Sequence, residues 1–211
     1  MDYRLLPVVS LLCNLAVVSG GSVRFARAGI TPWRGALTLT AIAAPAALLG
    51  GLTPIGERAF LMLLGASLCV AGLAMLLPRR ESTDAPRGGS RLIALAAAPL
   101  GYLAGLVGIG GGIFLAPLLH LVRWDNPRAI AATASLFILV NSLFGLVGQL
   151  GKSGFAMLGA AANTGLPLMI AVVIGGQIGS LFAVRLFKPQ LIAWLTAALT
   201  VLVGGRLLLG V

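Results

Sequence analysis

The sequence predicts an all-α, polytopic helical membrane protein, and three observations carry that prediction. Apolar residues make up 59% of the 211 residues, charged residues make up only 9%, and the mean hydropathy is +1.05. A soluble domain normally carries roughly 25% charged residues, so the 15 basic and 5 acidic side chains could not cover a soluble surface. The apolar residues also form long unbroken runs, unlike the alternating pattern of a transmembrane barrel. These numbers exclude an ordinary soluble enzyme, a disordered chain and a disulfide scaffold.

Seven apolar segments follow one another along the chain, and one of them is interrupted. Most are long enough to cross about 30 Å of hydrocarbon as a helix. We predict a first repeat over residues 1–77 with three transmembrane helices, a polar loop over 78–91, and a second repeat over 92–211 with a broken helix and three transmembrane helices. The segments are Tyr3–Gly20, Gly35–Leu52, Ala59–Leu77, Leu92–Val122 (the interrupted one), Ala129–Leu150, Leu158–Phe182 and Leu191–Val211.

The segment Leu92–Val122 is too long for a single upright span, since 31 helical residues would extend about 46 Å. Glycines at 108 and 110–112 interrupt it, and each costs about 1 kcal/mol in a helix interior. If the segment enters and returns on the same side, the loops on one side carry 11 basic residues and those on the other carry 2. That asymmetry follows the positive-inside rule, so we predict a re-entrant hairpin. Non-helical backbone at membrane depth must be buried in protein or beside water, so the glycine turn should line a cavity.

The glycines themselves have two interpretations. Backbone N–H groups without side chains, at the start of the helix that includes Pro117, would attract an anion. Alternatively, Gly101/Gly105 and Gly108/Gly112 have the small-residue spacing of closely packed membrane helices. The pattern is neither a dinucleotide fingerprint nor a phosphate-binding lysine loop, because the residues that complete those motifs are absent from this stretch.

The run Gly105-Leu-Val-Gly-Ile-Gly-Gly-Gly-Ile-Phe-Leu-Ala-Pro117-Leu-Leu resembles the signature of the TauE/SafE (sulfite exporter) family. Ala131-Ala-Thr133-Ala-Ser135-Leu and Asn141-Ser142 resemble the next helix of that family. The resemblance implies a multi-pass carrier in the bacterial inner membrane for sulfite, sulfonates or related organosulfur anions. It also implies two similar halves, each opening with a glycine signature. The first half contains no such signature, so we expect either a start upstream of Met1 or a shortened member.

Polar residues inside the apolar runs are candidates for the site, because each costs free energy in hydrocarbon unless it has a partner. Asn14 and Asn141 occupy equivalent places in a weak internal repeat, as glue between helices or as amides facing a substrate. Thr133 and Ser135 could bond an anion or their own helix carbonyls. Gln149 is expected at the interface, and Gln177 in the cavity. The candidate substrate-binding residues are Asn14, Gly108, Gly110, Gly111, Gly112, Pro117, Thr133, Ser135, Asn141 and Gln177.

The acidic residues all fall in predicted termini or loops, which argues against a carboxylate relay at membrane depth. Amides, hydroxyls and backbone N–H groups suit an anion instead. We therefore expect a secondary transporter of a small anion, with no catalytic residue, metal, cofactor or nucleic-acid partner and with no coupling ion identified. Its expected partners are the lipid bilayer, the small anionic substrate and a second copy of the chain in a homodimer. The alternative is a non-transporting membrane subunit that needs a partner or dimerisation.

Overall fold

The computed structural model describes residues 3–76, 91–154, 156–186 and 189–210, and all regular elements within those ranges are helices. The predicted all-α fold is confirmed, and each predicted apolar segment corresponds to a helix or, for the interrupted segment, to two. The polar loop predicted over 78–91 falls almost wholly outside the described residues. The helices are α1 Leu5–Arg27, α2 Trp33–Leu52, α3 Glu57–Leu76, α4 Arg91–Val107, α5 Gly112–Leu121, α6 Pro127–Ser153, α7 Ala156–Leu186 and α8 Pro189–Leu209.

Local chemistry explains where the longest of the site-forming helices starts and stops. The side chain of Asn126 accepts a hydrogen bond from the N–H of Ala129 at 2.9 Å, and Pro127 follows it at the first helical position. Gly154 ends α6 with φ of +80°, a conformation that glycine adopts without strain. Within the described residues, α1, α2, α3 and α6 are each long and apolar enough to cross a membrane.

The described chain forms two compact units, and neither is continuous in sequence. One comprises Met1–Pro54 with Arg79–Ile170, and the other comprises Ile55–Pro78 with Ala171–Val211. We call these unit 1 and unit 2. Both units draw on the two halves of the sequence, and the boundaries of the sequence repeats stay a prediction.

Unit 2 is built on close packing between α3 and α8. A Cβ atom at Gly65 would lie 2.9 Å from the carbonyl oxygen of Gly204, and one at Gly72 would lie 3.0 Å from that of Ala197. These backbones therefore approach each other more closely than larger side chains would permit. Small residues are the usual means by which membrane helices gain packing contacts, because burial against lipid supplies little driving force.

In unit 1, α2 packs against both α4 and α6, and those two helices also contact each other. Gly101 and Gly105 of α4 lie directly against the backbone of Ala43 and Ala47 of α2, leaving no room for a Cβ. On a neighbouring face of α2, Gly148 of α6 packs on the α2 backbone, where a Cβ would meet the Leu48 carbonyl oxygen. The packing interpretation is therefore correct for Gly101 and Gly105, the first pair of the glycine motif.

The chain reverses direction at the glycine turn between α4 and α5. Gly105 near the end of α4 lies beside Ala47 in α2, but Trp124, just after α5, lies against Gly35 at the start of α2. Ile93 near the start of α4 and Leu119 near the end of α5 also belong to one core cluster. A continuous helix would separate those two residues by about 39 Å. The predicted hairpin geometry is thus confirmed, while its sidedness in the membrane stays a prediction.

Candidate functional site

The glycine turn of residues 108–111 lies beside the middle of α6 and the first half of α1. Ser142 of α6 and Asn14 of α1 both lie next to Gly110, and Pro7 of α1 lies next to Gly108. Ser142 is the sixteenth residue of the 27-residue helix α6, and Asn14 is the tenth of the 23 residues of α1. In a membrane-spanning helix these positions are near the midplane, where secondary transporters commonly form their sites from broken helices.

The turn owes its shape to glycine. Gly108, Gly110 and Gly111 all have positive φ, between +76° and +82°. The carbonyl oxygen of Gly108 accepts a hydrogen bond of 2.8 Å from Ser10 Oγ, so α1 fixes the turn from outside the hairpin. Residues with a side chain rarely adopt a positive φ. Three residues with positive φ in one turn prevent the helix from continuing without a break.

Several buried polar atoms near the turn have no hydrogen-bond partner. Within the part of the chain that the structure describes, these atoms are Asn14 Nδ2, Thr133 Oγ1, Asn141 Nδ2 and Oδ1, and Ser142 Oγ. All five belong to α1 or α6, and the residues Thr133, Asn141 and Ser142 are completely buried. A buried polar group left unpaired costs about 1–3 kcal/mol, so their concentration on two helices calls for a functional explanation.

Two of these atoms converge on one point of the turn. A Cβ atom at Gly110 would lie 3.0 Å from Asn14 Nδ2 and 3.0 Å from Ser142 Oγ, and 2.8 Å from Ile138 Cγ2. The amide of α1 and the hydroxyl of α6 therefore point toward the same side of Gly110. We call Gly110, Asn14 and Ser142 the Gly110 cradle. A side chain at position 110 would fill it.

Asn141 and Thr133 lie on the same side of α6 as the residues that contact the turn. Thr133, Phe137 and Asn141 are spaced four residues apart, so they line up along one face. Phe137 lies against Gly111, and Ile138 lies against Gly112 on the neighbouring row. Asn141 therefore lies one position from Ser142 of the cradle, and the apolar ring of Phe137 separates it from Thr133.

The electrostatic character of this region favours a negative ligand. Helix α5 begins at Gly112, its N-cap Gly111 provides no side-chain bond, and the first intrahelical donor is the N–H of Phe114, bonded to Gly111 O at 3.2 Å. The N–H groups of Gly112 and Ile113 precede that first bond, and the helix dipole adds the equivalent of about half a positive charge. Among the described residues, no group of three His, Cys, Asp or Glu side chains could hold a metal ion.

The other predicted site residues have more varied positions. Gly112 is buried as the first residue of α5, and Pro117 is half-buried inside that helix. Ser135 is half-buried and shares a 3.1 Å hydrogen bond with Ser22 Oγ of α1, so its hydroxyl already has a partner. Gln177 falls within α7, and its side chain lies outside the described part of the chain.

Gln149 corrects the expectation of an interfacial side chain. It is 1% exposed, and its Nε2 donates to the carbonyl oxygens of Gly105 at 2.9 Å and Leu106 at 3.3 Å. Those carbonyls lie at the end of α4, where the glycine turn removes the usual helical donors. Gln149 therefore holds the broken end of α4 against α6.

Sequence reasoning also missed Ser142 and Ser10 as members of this region. A single serine in an apolar helix gives little signal, because its hydroxyl can bond its own helix carbonyl. Asn141 was identified because an amide in hydrocarbon is costly. A search for polar residues one position from Asn141 would have found Ser142.

Long apolar helices, a glycine-broken helix and buried unpaired donors are typical of polytopic membrane transport proteins. The family model for the sulfite exporter TauE/SafE matches residues 2–207, so the chain belongs to that family. It is also 30% identical over 204 residues to "Probable membrane transporter protein y4hK" of Sinorhizobium fredii, covering 92% of this chain and 77% of the relative. No solved structure matches. The chain is a multi-pass membrane transporter of the bacterial inner membrane.

Proposed function

We propose that the protein is a secondary transporter of a small anion and that the anion binds between α1, α6 and the glycine turn. The single observation that carries the proposal is the convergence of Asn14 Nδ2 and Ser142 Oγ on Gly110, both buried and both without a partner. An anion that accepts hydrogen bonds from both groups would remove the free-energy cost of leaving them unpaired.

The donors around the turn explain why an anion fits better than a cation. Amide nitrogen, hydroxyl groups and the N–H groups at the start of α5 all donate hydrogen bonds, and the α5 dipole is positive at this end. The described acidic residues, Glu57 and Asp125, lie at the first position of α3 and between α5 and α6. A cation at the turn would therefore have, among the described side chains, only neutral unpaired acceptors, the Asn141 amide oxygen and the hydroxyl oxygens of Ser142 and Thr133.

The family name supports the chemical class of the substrate. The matching family model is described as a sulfite exporter, and we propose that this chain carries sulfite, a sulfonate or a related organosulfur anion. Such anions present three oxygens on one sulfur, which suits donors that reach one point from two helices. Binding would draw α1 and α6 together around the turn, and their relative movement would then expose the site alternately.

Transport by purified protein in sealed liposomes tests this proposal. Wild type should carry radiolabelled sulfite or methanesulfonate, and Gly110→Ala should reduce the flux at least about tenfold, since the new Cβ fills the cradle and separates the donors. Gly154→Ala is the control for a side chain at positive φ, because Gly154 has nearly the same φ, +80° against +79°, but open space around its Cβ position. Its ψ of 158° lies in a region that strongly disfavours any side chain, so this control tests backbone strain severely.

Comparing the two variants shows whether a loss of flux comes from filling the cradle or from backbone strain at a positive φ. Equal losses in Gly110→Ala and Gly154→Ala would assign the effect to backbone strain and remove the cradle from the proposal. Failure of folded wild-type protein to move either anion would overturn the carrier function and favour the non-transporting subunit.

A further inference from the structure

We propose that the Gly110 cradle selects singly charged oxoanions and rejects the doubly charged forms of the same compounds. This inference rests on the proposed function, because it names the charge state that the proposed site accepts. It follows from the kind of donors that surround the cradle and from the distance of the ionisable side chains.

The donors at the cradle are uncharged. Asn14 and Ser142 contribute an amide and a hydroxyl, Asn141 adds a second amide from the position next to Ser142 on α6, and the start of α5 adds backbone N–H groups. The only net positive potential in this set comes from the α5 dipole, equivalent to about half a charge. Such a set offsets a large part of one negative charge but much less of two.

The nearest positively charged side chains on α1 and α6 lie far along the helix axes from Asn14 and Ser142. Arg4 and Arg24 are each ten residues from Asn14, about 15 Å along α1. Lys152 and Arg128 are ten and fourteen residues from Ser142, about 15 and 21 Å along α6. These cations mark the ends of the helices, about 15 Å or more along the axes from the two side chains of the cradle. Arg4 is nearer to the other edge of the turn, three residues before Pro7, which contacts Gly108.

The basic side chains of the hairpin, His120 included, are about 13 Å or more along their helices from the turn. His120 is nine residues beyond Gly111, about 13 Å along α5, and Arg91 lies at the far end of α4. Arg123 follows α5 on the side where the hairpin returns. The part of α7 in unit 1, residues 156–170, contains no ionisable residue in its sequence.

The charge of the anion then decides whether it can enter. The cost of transferring an ion from water to a medium of low dielectric constant rises with the square of its charge, so a dianion costs roughly four times as much as a monoanion of the same size. Hydrogen bonds from neutral donors grow only in proportion to the charge. A mid-membrane site of this composition therefore favours hydrogensulfite over sulfite, and a sulfonate over sulfate.

A pH series with two anions in proteoliposomes tests the inference. Methanesulfonate keeps one negative charge throughout the neutral range, whereas sulfite changes from the monoanion to the dianion there. With the membrane potential clamped and the pH equal on both sides, methanesulfonate uptake should stay constant. Sulfite uptake should fall by roughly tenfold for each pH unit above its second ionisation, following the hydrogensulfite fraction.

The outcomes separate this inference from the proposed function. Sulfite uptake that is constant or rises as the dianion forms, while remaining sensitive to Gly110→Ala, overturns charge selection and leaves anion transport standing. A parallel fall in methanesulfonate uptake also overturns it, because a protein group or a coupled proton then sets the pH dependence. Absence of uptake for both anions at every pH overturns the proposed function itself.

A binding measurement without transport gives a second check. At concentrations too low for the general stabilisation that excluded sulfate gives to proteins, methanesulfonate should raise the melting temperature of the detergent-solubilised protein, and sulfate at equal ionic strength should not. Gly110→Ala should lose the methanesulfonate shift and Gly154→Ala should keep it. Equal stabilisation by sulfate and methanesulfonate in wild type would contradict selection for the monoanion.

Discussion

Gln149 Nε2 on α6 donates a 2.9 Å hydrogen bond to the carbonyl oxygen of Gly105 on α4. The bond joins a fully buried side chain to a helix end that the glycine turn leaves short of donors. It fixes the end of α4, and through it the position of the turn, relative to α6.

Replacing Gln149 with leucine should therefore destabilise the protein. Gln149→Leu has a similar volume but leaves the carbonyls of Gly105 and Leu106 without this donor, and we expect a loss of about 1–3 kcal/mol. Thermal unfolding in detergent measures the effect. Val147→Leu, on the exposed side of the same helix, is the control and should unfold like wild type. An unchanged melting temperature for Gln149→Leu would contradict the assigned role.

Replacing Asn141 with leucine, unlike replacing Gln149, should not destabilise the protein. Its side chain is buried with no partner for either polar atom, so Asn141→Leu removes an unsatisfied amide and should leave stability unchanged or raise it by about 1 kcal/mol. Anion transport should fall at the same time. The control is Asn126→Leu, which removes the cap of α6 and should cost about 1 kcal/mol with little effect on transport.

A lower melting temperature with unchanged transport for Asn141→Leu would assign Asn141 to helix packing. The comparison needs both readouts, because a folding defect alone would also reduce the flux. Flux is therefore normalised to the amount of folded protein in the liposomes.

The hydroxyls of Ser22 on α1 and Ser135 on α6 form a hydrogen bond. Ser135 therefore either joins the two helices or binds the substrate, and variants of both residues distinguish these roles. If the pair only joins the helices, Ser22→Ala and Ser135→Ala should lower stability by similar amounts, about 0.5–1.5 kcal/mol, and the double variant should add little more. If Ser135 binds the substrate, Ser135→Ala alone should raise the KM for transport. A double-mutant cycle with KM measured for each variant distinguishes them.

The hairpin geometry predicts which side of the membrane each of three surface positions faces. In a background lacking Cys13 and Cys69, Ala28→Cys and Arg128→Cys lie at the end of unit 1 to which the hairpin returns, and Lys152→Cys lies at the opposite end of α6. A membrane-impermeant maleimide added to cells with a permeabilised outer membrane should label only Lys152→Cys. Lysis should expose the other two, in accordance with the positive-inside rule. Labelling of Arg128→Cys before lysis would contradict the re-entrant topology.

Helix positions and the break were predictable because they depend on local properties of the chain. Apolar runs set the helices, and closely spaced glycines set the turn between α4 and α5. The packing interpretation is correct for Gly101 and Gly105, which lie against α2, whereas Gly108 and Gly110 form the turn, where anion binding stays a proposal. Sequence spacing alone does not separate them, because the backbone φ angles that distinguish them arise from tertiary contacts.

The role of Gln149 was not predictable, since it depends on a partner 44 residues away. The segment predicted as Ala129–Leu150 also ends three residues before the observed helix, which put Gln149 too close to the surface. One signal was present in the sequence. A helix that stops at Val107 leaves carbonyls that need donors, and a glutamine in a neighbouring span could supply them.

The discontinuity of unit 1 has a consequence for biosynthesis. Helices α1 and α2 leave the ribosome well before α4, α5 and α6, yet their packing surfaces are completed only by those later helices. The early pair must remain laterally unassembled in the bilayer while α3 and the following polar stretch are synthesised. Contacts between segments so distant in sequence form slowly. The maturation time of this transporter should therefore depend on the insertion of α6 more than on that of any earlier span.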